Sequence, residues 1–231
     1  MADQPTEIQR AVDDTQRRQQ MLQLLITEHL TLQTARSGAI AEVNGRATLF
    51  LGAVSSALIA LAFIGQVSRI GSAFYAFGLV LFPVLLFLGV ATFERTVATS
   101  IQNALYLREI NRIRHFCTEM IPEASRYFVL SIHDDEWDVG LRVGAVSMGW
   151  QSFLATAGMV GVVDSVLAGV LAALALMLLP GIDLIAPIAV GIAVFLLSAL
   201  LHQRCQLSSS RRVHREIPVL FPTPPVGEAR A

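Results

Sequence analysis

The chain alternates between long uncharged blocks and polar, arginine-bearing ones. Residues 47–68 and 70–93 carry no charge, and 184–203 hold only His202. A further block, 143–182, is interrupted by one acid, Asp164. Each block is long enough for the roughly 20 residues that a bilayer-spanning helix needs. Helices in the core of a soluble bundle would show a polar face, and these blocks show none. The pattern predicts an all-α integral membrane protein with four transmembrane helices at 47–66, 72–92, 153–179 and 184–201. "QVSRIG" joins the first pair and "PGID" the second, so the spans form two hairpins whose helices extend into the cytoplasm.

Five segments follow. Residues 1–46 are an N-terminal cytoplasmic helical region, and 47–92 are the first hairpin. Residues 93–152 are a cytoplasmic helical segment, 153–201 the second hairpin, and 202–231 a basic, Pro-rich tail. Residues 1–20 read as weakly packed. "MLQLLITEHLTLQ" (21–33) reads as a helix with a stripe of Leu22, Ile26 and Leu30, flanked by Leu25 and Leu32. It continues into the first span, with Gly38 and Gly45 as the points where it could be interrupted. The segment from Glu94 to Met120 has no Gly or Pro and extends the second span, until Pro122 ends it. Its apolar positions recur at helical spacing and need a partner, for which 21–33 is the nearest candidate. "RYFVLSI" (126–132) has strand character, and the Pro-rich end of the tail reads as disordered.

Composition agrees with this picture: 54% of residues are hydrophobic, 15% are charged, and mean hydropathy is +0.58. The first apolar block lies behind a polar stretch with no basic opening region, unlike a signal peptide. All 17 basic residues are arginine. Only Arg69 falls in a short hairpin loop, so the positive-inside bias places both termini and the central segment in the cytoplasm of an inner-membrane protein. Cys117 and Cys205 then lie on the reducing side, where a structural disulfide is not expected. A net charge of −1 gives no reason to expect a nucleic-acid partner.

Three groups of residues carry chemistry. Asp164 is an intramembrane acid, costing about 2.5–3.5 kcal/mol at a helix centre. It reads as a pore-lining group, a proton site or a partner for Arg46, with Ser165 and Ser56 as further intramembrane polar groups. The alternative is an interfacial acid that reaches water. Small residues recur every fourth position, at Gly52, Ser56 and Ala60 on the first span and Gly161, Ser165, Gly169 and Ala173 on the third. Such faces let helices pack closely, within one chain or between copies of a homo-oligomer. Arg108, Arg112 and His115 share one face of the central helix and suit an anionic ligand such as a nucleotide phosphate or a lipid headgroup. The alternative is a solvated face neutralised by Glu109 and Glu119. "HDDEWD" (133–138) reads as a helix cap or a hydrated acidic loop before it reads as a metal site. Phosphate-binding loops, nucleophile elbows, zinc spacings and dinucleotide fingerprints are all missing, so neither an enzyme nor a cofactor is expected.

"AEVNGRATLFLGAVSSALI", with Asn44, Arg46 and Ala47 opening the first span behind a polar helix, resembles the SLATT proteins and the transmembrane effectors of Pycsar anti-phage systems. The resemblance covers about residues 21–120. It implies a membrane effector of bacterial defence, triggered by a cyclic-nucleotide ligand, whose assembly into a pore or lesion damages the membrane. No ligand-binding residue carries over from it. A non-conducting scaffold for a cytoplasmic protein, or a small transporter using Asp164, are the other readings.

Overall fold

A computed structural model describes residues 7–135 and 155–224, apart from some side chains at the outer ends of the first and last helices. The described residues are all-helical. Helix α1 spans Glu7–Val67, α2 Ser72–Met120, α3 Thr156–Leu176 and α4 Ile185–Glu216, with a single 3-10 turn at Pro122–Tyr127. All four helices contain a stretch long and apolar enough to cross a membrane. They are paired as α1–α2 and α3–α4.

Helix α1 runs through Gly38 and Gly45 without a break. A lone glycine costs only about 1 kcal/mol in a helix interior, too little to stop a long helix that packing supports. The turn after α1 is tight. Arg69 (φ 48°) and Ile70 (φ 57°) both take left-handed backbone, and the Ile70 amide closes onto Gly65 O at 2.9 Å. In the second hairpin Gly181 supplies the left-handed residue (φ 79°), and Asp183 Oδ1 accepts from the Leu184 amide at 2.8 Å. Pro83 lies inside α2 and removes one backbone bond, which the surrounding helix tolerates. Pro122 terminates α2 by opening the 3-10 turn.

The chain divides into two compact units. One comprises Met1–Gly38, Leu105–Asp135 and Val219–Ala231; the other comprises Ala39–Ala104 and Glu136–Pro218. In the first, polar unit, Leu32, Ile110 and Ile113 are buried, with Leu25, Tyr106 and Cys117 against them. The 21–33 helix thus meets the central helix, but in a register rotated from the expected stripe. Leu25 and Leu32 turn inward, while Ile26 and Leu30 are exposed. At 100° per residue, the choice between neighbouring leucines is made by the facing helix, which the sequence of α1 does not encode. The expected strand at 126–132 is absent: Arg126 and Tyr127 end the 3-10 turn, and Phe128 starts an extended segment that joins no sheet. The Pro-rich tail departs from expectation too, because residues 219–223 bind that extended segment. Its last residues, and the 136–154 return to the membrane, lie outside the described residues.

The second, apolar unit is built on Phe50, Val54, Ala57 and Leu61 of α1, Phe82, Leu85 and Phe93 of α2, and Ala157, Val160 and Leu167 of α3. Helix α4 packs on α3 where Gly169 and Gly191 meet backbone to backbone. A Cβ added at Gly169 would stand 2.6 Å from Gly191 O. Elsewhere the apolar stretch of α4 is largely uncovered, with only 11% of its span buried.

Candidate functional site

Asp164 lies in the second turn-pair of α3 and is 1% exposed. Its Oδ2 stands 3.3 Å from Nε2 of His202 on α4. Its Oδ1 is buried without a hydrogen-bond partner and presses against the backbone of α2. A Cβ at Gly89 would overlap that oxygen, and would sit 2.7 Å from Asp164 Cγ and 3.0 Å from Phe50 Cζ. Asp164, Gly89, Phe50 and His202 therefore form one layer with a contribution from each helix. Phe93 completes it, edge-on to His202 with ring centroids 4.6 Å apart.

Several sequence features place these groups. Gly161, one turn before Ser165, brings α3 close enough that an added Cβ would be 3.2 Å from both His202 Cβ and Phe93 Cε2. Ser165 is fully buried; its hydroxyl donates back to Gly161 O at 2.6 Å and lies 3.4 Å from His202 Nδ1. On α4, His202 Nδ1 lies 2.9 Å from Ser198 O.

That last contact fixes the chemistry of the pair. A carbonyl oxygen only accepts, so Nδ1 carries a hydrogen. Nε2 then faces the carboxylate either as a lone pair or as a second N–H. A lone pair against an ionised carboxylate is repulsive in a desolvated layer. The stable arrangements hold one proton between the two groups, as imidazolium–carboxylate or as imidazole–carboxylic acid. Either way the pair is neutral overall, which is the form that burial in apolar surroundings favours.

On α1 and α2 the layer lies near the charged end of the apolar stretch. Phe50 is one helical turn from Arg46, about 6 Å along the axis, and Gly89 is about 9 Å from Arg95. Glu42 binds both arginines, at 2.9 Å to Arg46 and 3.5 Å to Arg95. Asp164 is buried away from water two residues from the centre of α3, the ninth of its 21 residues, and its partner is His202 rather than Arg46. The apolar stretches of the four helices carry no other charged residue; the next ones along them are Arg46, Glu94, Arg95 and Arg204.

The other candidate residues distribute differently. Gly169 packs on α4, and Gly161 on α4 and α2. A Cβ added at Gly52 would meet nothing within 4 Å beyond its own helix, Ser56 is exposed and Ala60 is half-buried. The small face of α1 therefore does not dock the Asp164 helix, because the larger Phe50 and Val54 bury more surface there. Arg108 is buried. Arg112 donates to Asp134 at 2.7 Å, and His115 stacks on Phe221 (centroids 3.8 Å, 22°) while standing 3.5 Å from Glu119. The expected anion-binding face is thus neither solvated nor open, since an internal carboxylate sits on Arg112. Sequence reasoning passed over His202 and Gly89. His202 did give a signal, as the lone ionisable group of its block, whereas Gly89 gave none.

The fold and this layer define an all-helical, multi-pass membrane protein with a carboxylate–imidazole pair inside its helix bundle. Compared with known proteins, the chain matches no protein-family model, no curated protein and no solved structure.

Proposed function

We propose that the protein changes the permeability of its membrane and that the Asp164–His202 pair is the protonatable centre that governs it. The observation behind this reading is the placement of a one-proton pair in a dry layer about one turn inside a charged rim. Intramembrane ionisable residues are costly and mark ion or proton pathways more often than structural needs. The pair can pass its shared proton between Nε2 and Oδ2 without creating net charge, and releasing that proton to one side before regaining one from the other would carry a proton past the layer. Both termini lie in the cytoplasm in this reading, following the arginine distribution.

The test is flux through proteoliposomes at controlled pH. Purified protein is expected to give proton leakage that Asp164→Asn and His202→Gln each lower at least tenfold. Leakage unchanged in both variants, or absent from correctly inserted protein, would overturn the reading. A second reading, a self-associating effector that breaches the membrane, is favoured by the uncovered small face of α1 at Gly45, Gly52 and Ser56. It predicts leakage of small dyes that rises steeply with protein density, irrespective of pH.

A further inference from the structure

The polar unit contains a second built site, independent of the bilayer layer. Asp134 is fully buried, and both its carboxylate oxygens are hydrogen-bonded. Arg112 Nε donates to its Oδ2 at 2.7 Å. The Phe221 amide donates to Oδ1 at 2.8 Å, and the Leu220 amide reaches both oxygens at 3.1 and 3.2 Å. The Asp134 amide in turn donates to Phe221 O at 3.1 Å. Asp135 repeats the pattern one residue on, accepting from the Thr223 amide at 2.7 Å. Beneath them Asn111, also fully buried, donates to His133 O at 2.6 Å and holds the receiving segment in place.

These contacts have the form of peptide recognition. Every hydrogen bond to residues 220–223 goes to main chain, as when an extended peptide is read along its backbone. Only one side chain is gripped, the Phe221 ring on His115, while Val219 and Leu220 remain exposed. Pro218 and Pro224 flank the segment and Pro222 lies within it, restricting it to extended backbone, which lowers the entropy lost on docking. The segment adds nothing to the buried apolar core of its unit, so the site does not need it in order to fold.

We infer that the Asp134 corner is a peptide-binding site and that residues 219–223 are its releasable resident occupant. The ligand class is an uncharged, extended, proline-flanked peptide with one aromatic side chain for His115. Because the resident segment belongs to the same chain, it competes with any free peptide as an intramolecular occupant.

The experiment compares the full chain with one ending at Pro218, both in the same detergent. The probe is a fluorescent peptide of residues 217–224, followed by anisotropy. The shortened chain is expected to bind it saturably and the full chain at least tenfold more weakly. Asp134→Asn in the shortened chain, or Phe221→Ala in the peptide, should each weaken binding about tenfold or more. Helical content by circular dichroism guards against misfolding, and His115→Phe, which keeps the stack, should retain binding. Lack of saturable binding by a fully helical shortened chain, equal binding by the full chain, or indifference to Asp134→Asn would overturn the inference.

Discussion

Gly89→Ala offers a direct measure of how tightly the Asp164 layer is packed. The new methyl would overlap Asp164 Oδ1 and stand 2.7 Å from its Cγ, where unstrained carbons keep about 3.5–4.0 Å. Oδ1 is hemmed in by Phe50 and α2, and Oδ2 is engaged by His202. The carboxylate can move only by leaving the imidazole. Overpacking of this kind costs about 1–3 kcal/mol. Losing a hydrogen bond to a charged group adds about 1.5–3 kcal/mol. Alanine returns about 0.5–1 kcal/mol of helix propensity. The net expectation is a loss of about 2–4 kcal/mol. Gly52→Ala is the matched control: with no atom within 4 Å, it keeps the propensity gain and should be neutral or stabilising.

The assay is reversible unfolding in mixed micelles, followed by circular dichroism, with the two variants in parallel. A double-mutant cycle adds the decisive term. In an Asp164→Ala background the obstructing carboxylate is gone, so Gly89→Ala should then cost less than about 1 kcal/mol, a coupling of about 1–3 kcal/mol. If Gly89→Ala proves as benign as Gly52→Ala, or keeps its full cost without Asp164, the layer is not assembled as described.

Other expectations follow from the same contacts. Burial pushes the Asp134 carboxyl up, but the Phe221 amide, the Arg112 guanidinium and the Leu220 amide outweigh it and hold its pKa below the ordinary value. Its contribution is therefore complete above about pH 4 and is lost as pH falls further, through the lowered folded value. A fluorine label on Phe221 should show the bound tail unchanged from pH 7 to 5 and released only below about pH 4. Ile70→Gly should stabilise the chain by up to about 1 kcal/mol, because a β-branched residue at φ 57° carries a left-handed cost of about 1–2 kcal/mol that glycine avoids; a loss of stability would count against the turn. Gly169→Ala forces a methyl onto Gly191 O and should cost about 1–3 kcal/mol in the same unfolding assay, whereas an unshifted midpoint would mean that α3 and α4 do not meet there.

What the residues disclosed, and what they withheld, follows from the range of each interaction. Apolar block length is a local quantity, so the four helices and their pairing in hairpins could be read without knowledge of contacts. Asp164 stood out for the same reason, as the single acid in an apolar block. Its partner did not, because pairing Asp164 with His202 depends on α3 and α4 lying side by side with Gly169 against Gly191. The nearer guess, Arg46, fails because Glu42 sits one turn from it on the same helix and because Phe50, not Gly52, faces α3. The small-residue rule misassigned the packed face of α1 since it weighs ease of approach and ignores the area that Phe50 and Val54 bury. On the polar side, Arg108, Arg112 and His115 read as a face for an anionic ligand or as a solvated one. Arg112 and His115 instead meet Asp134 and Phe221, the latter 106 positions from His115. Charge patterning reports what a face can bind, but its occupant is chosen by chain topology, which no local pattern encodes. An intramembrane acid and histidine occurring singly on different helices are therefore best considered as a pair before either is matched to a nearby arginine.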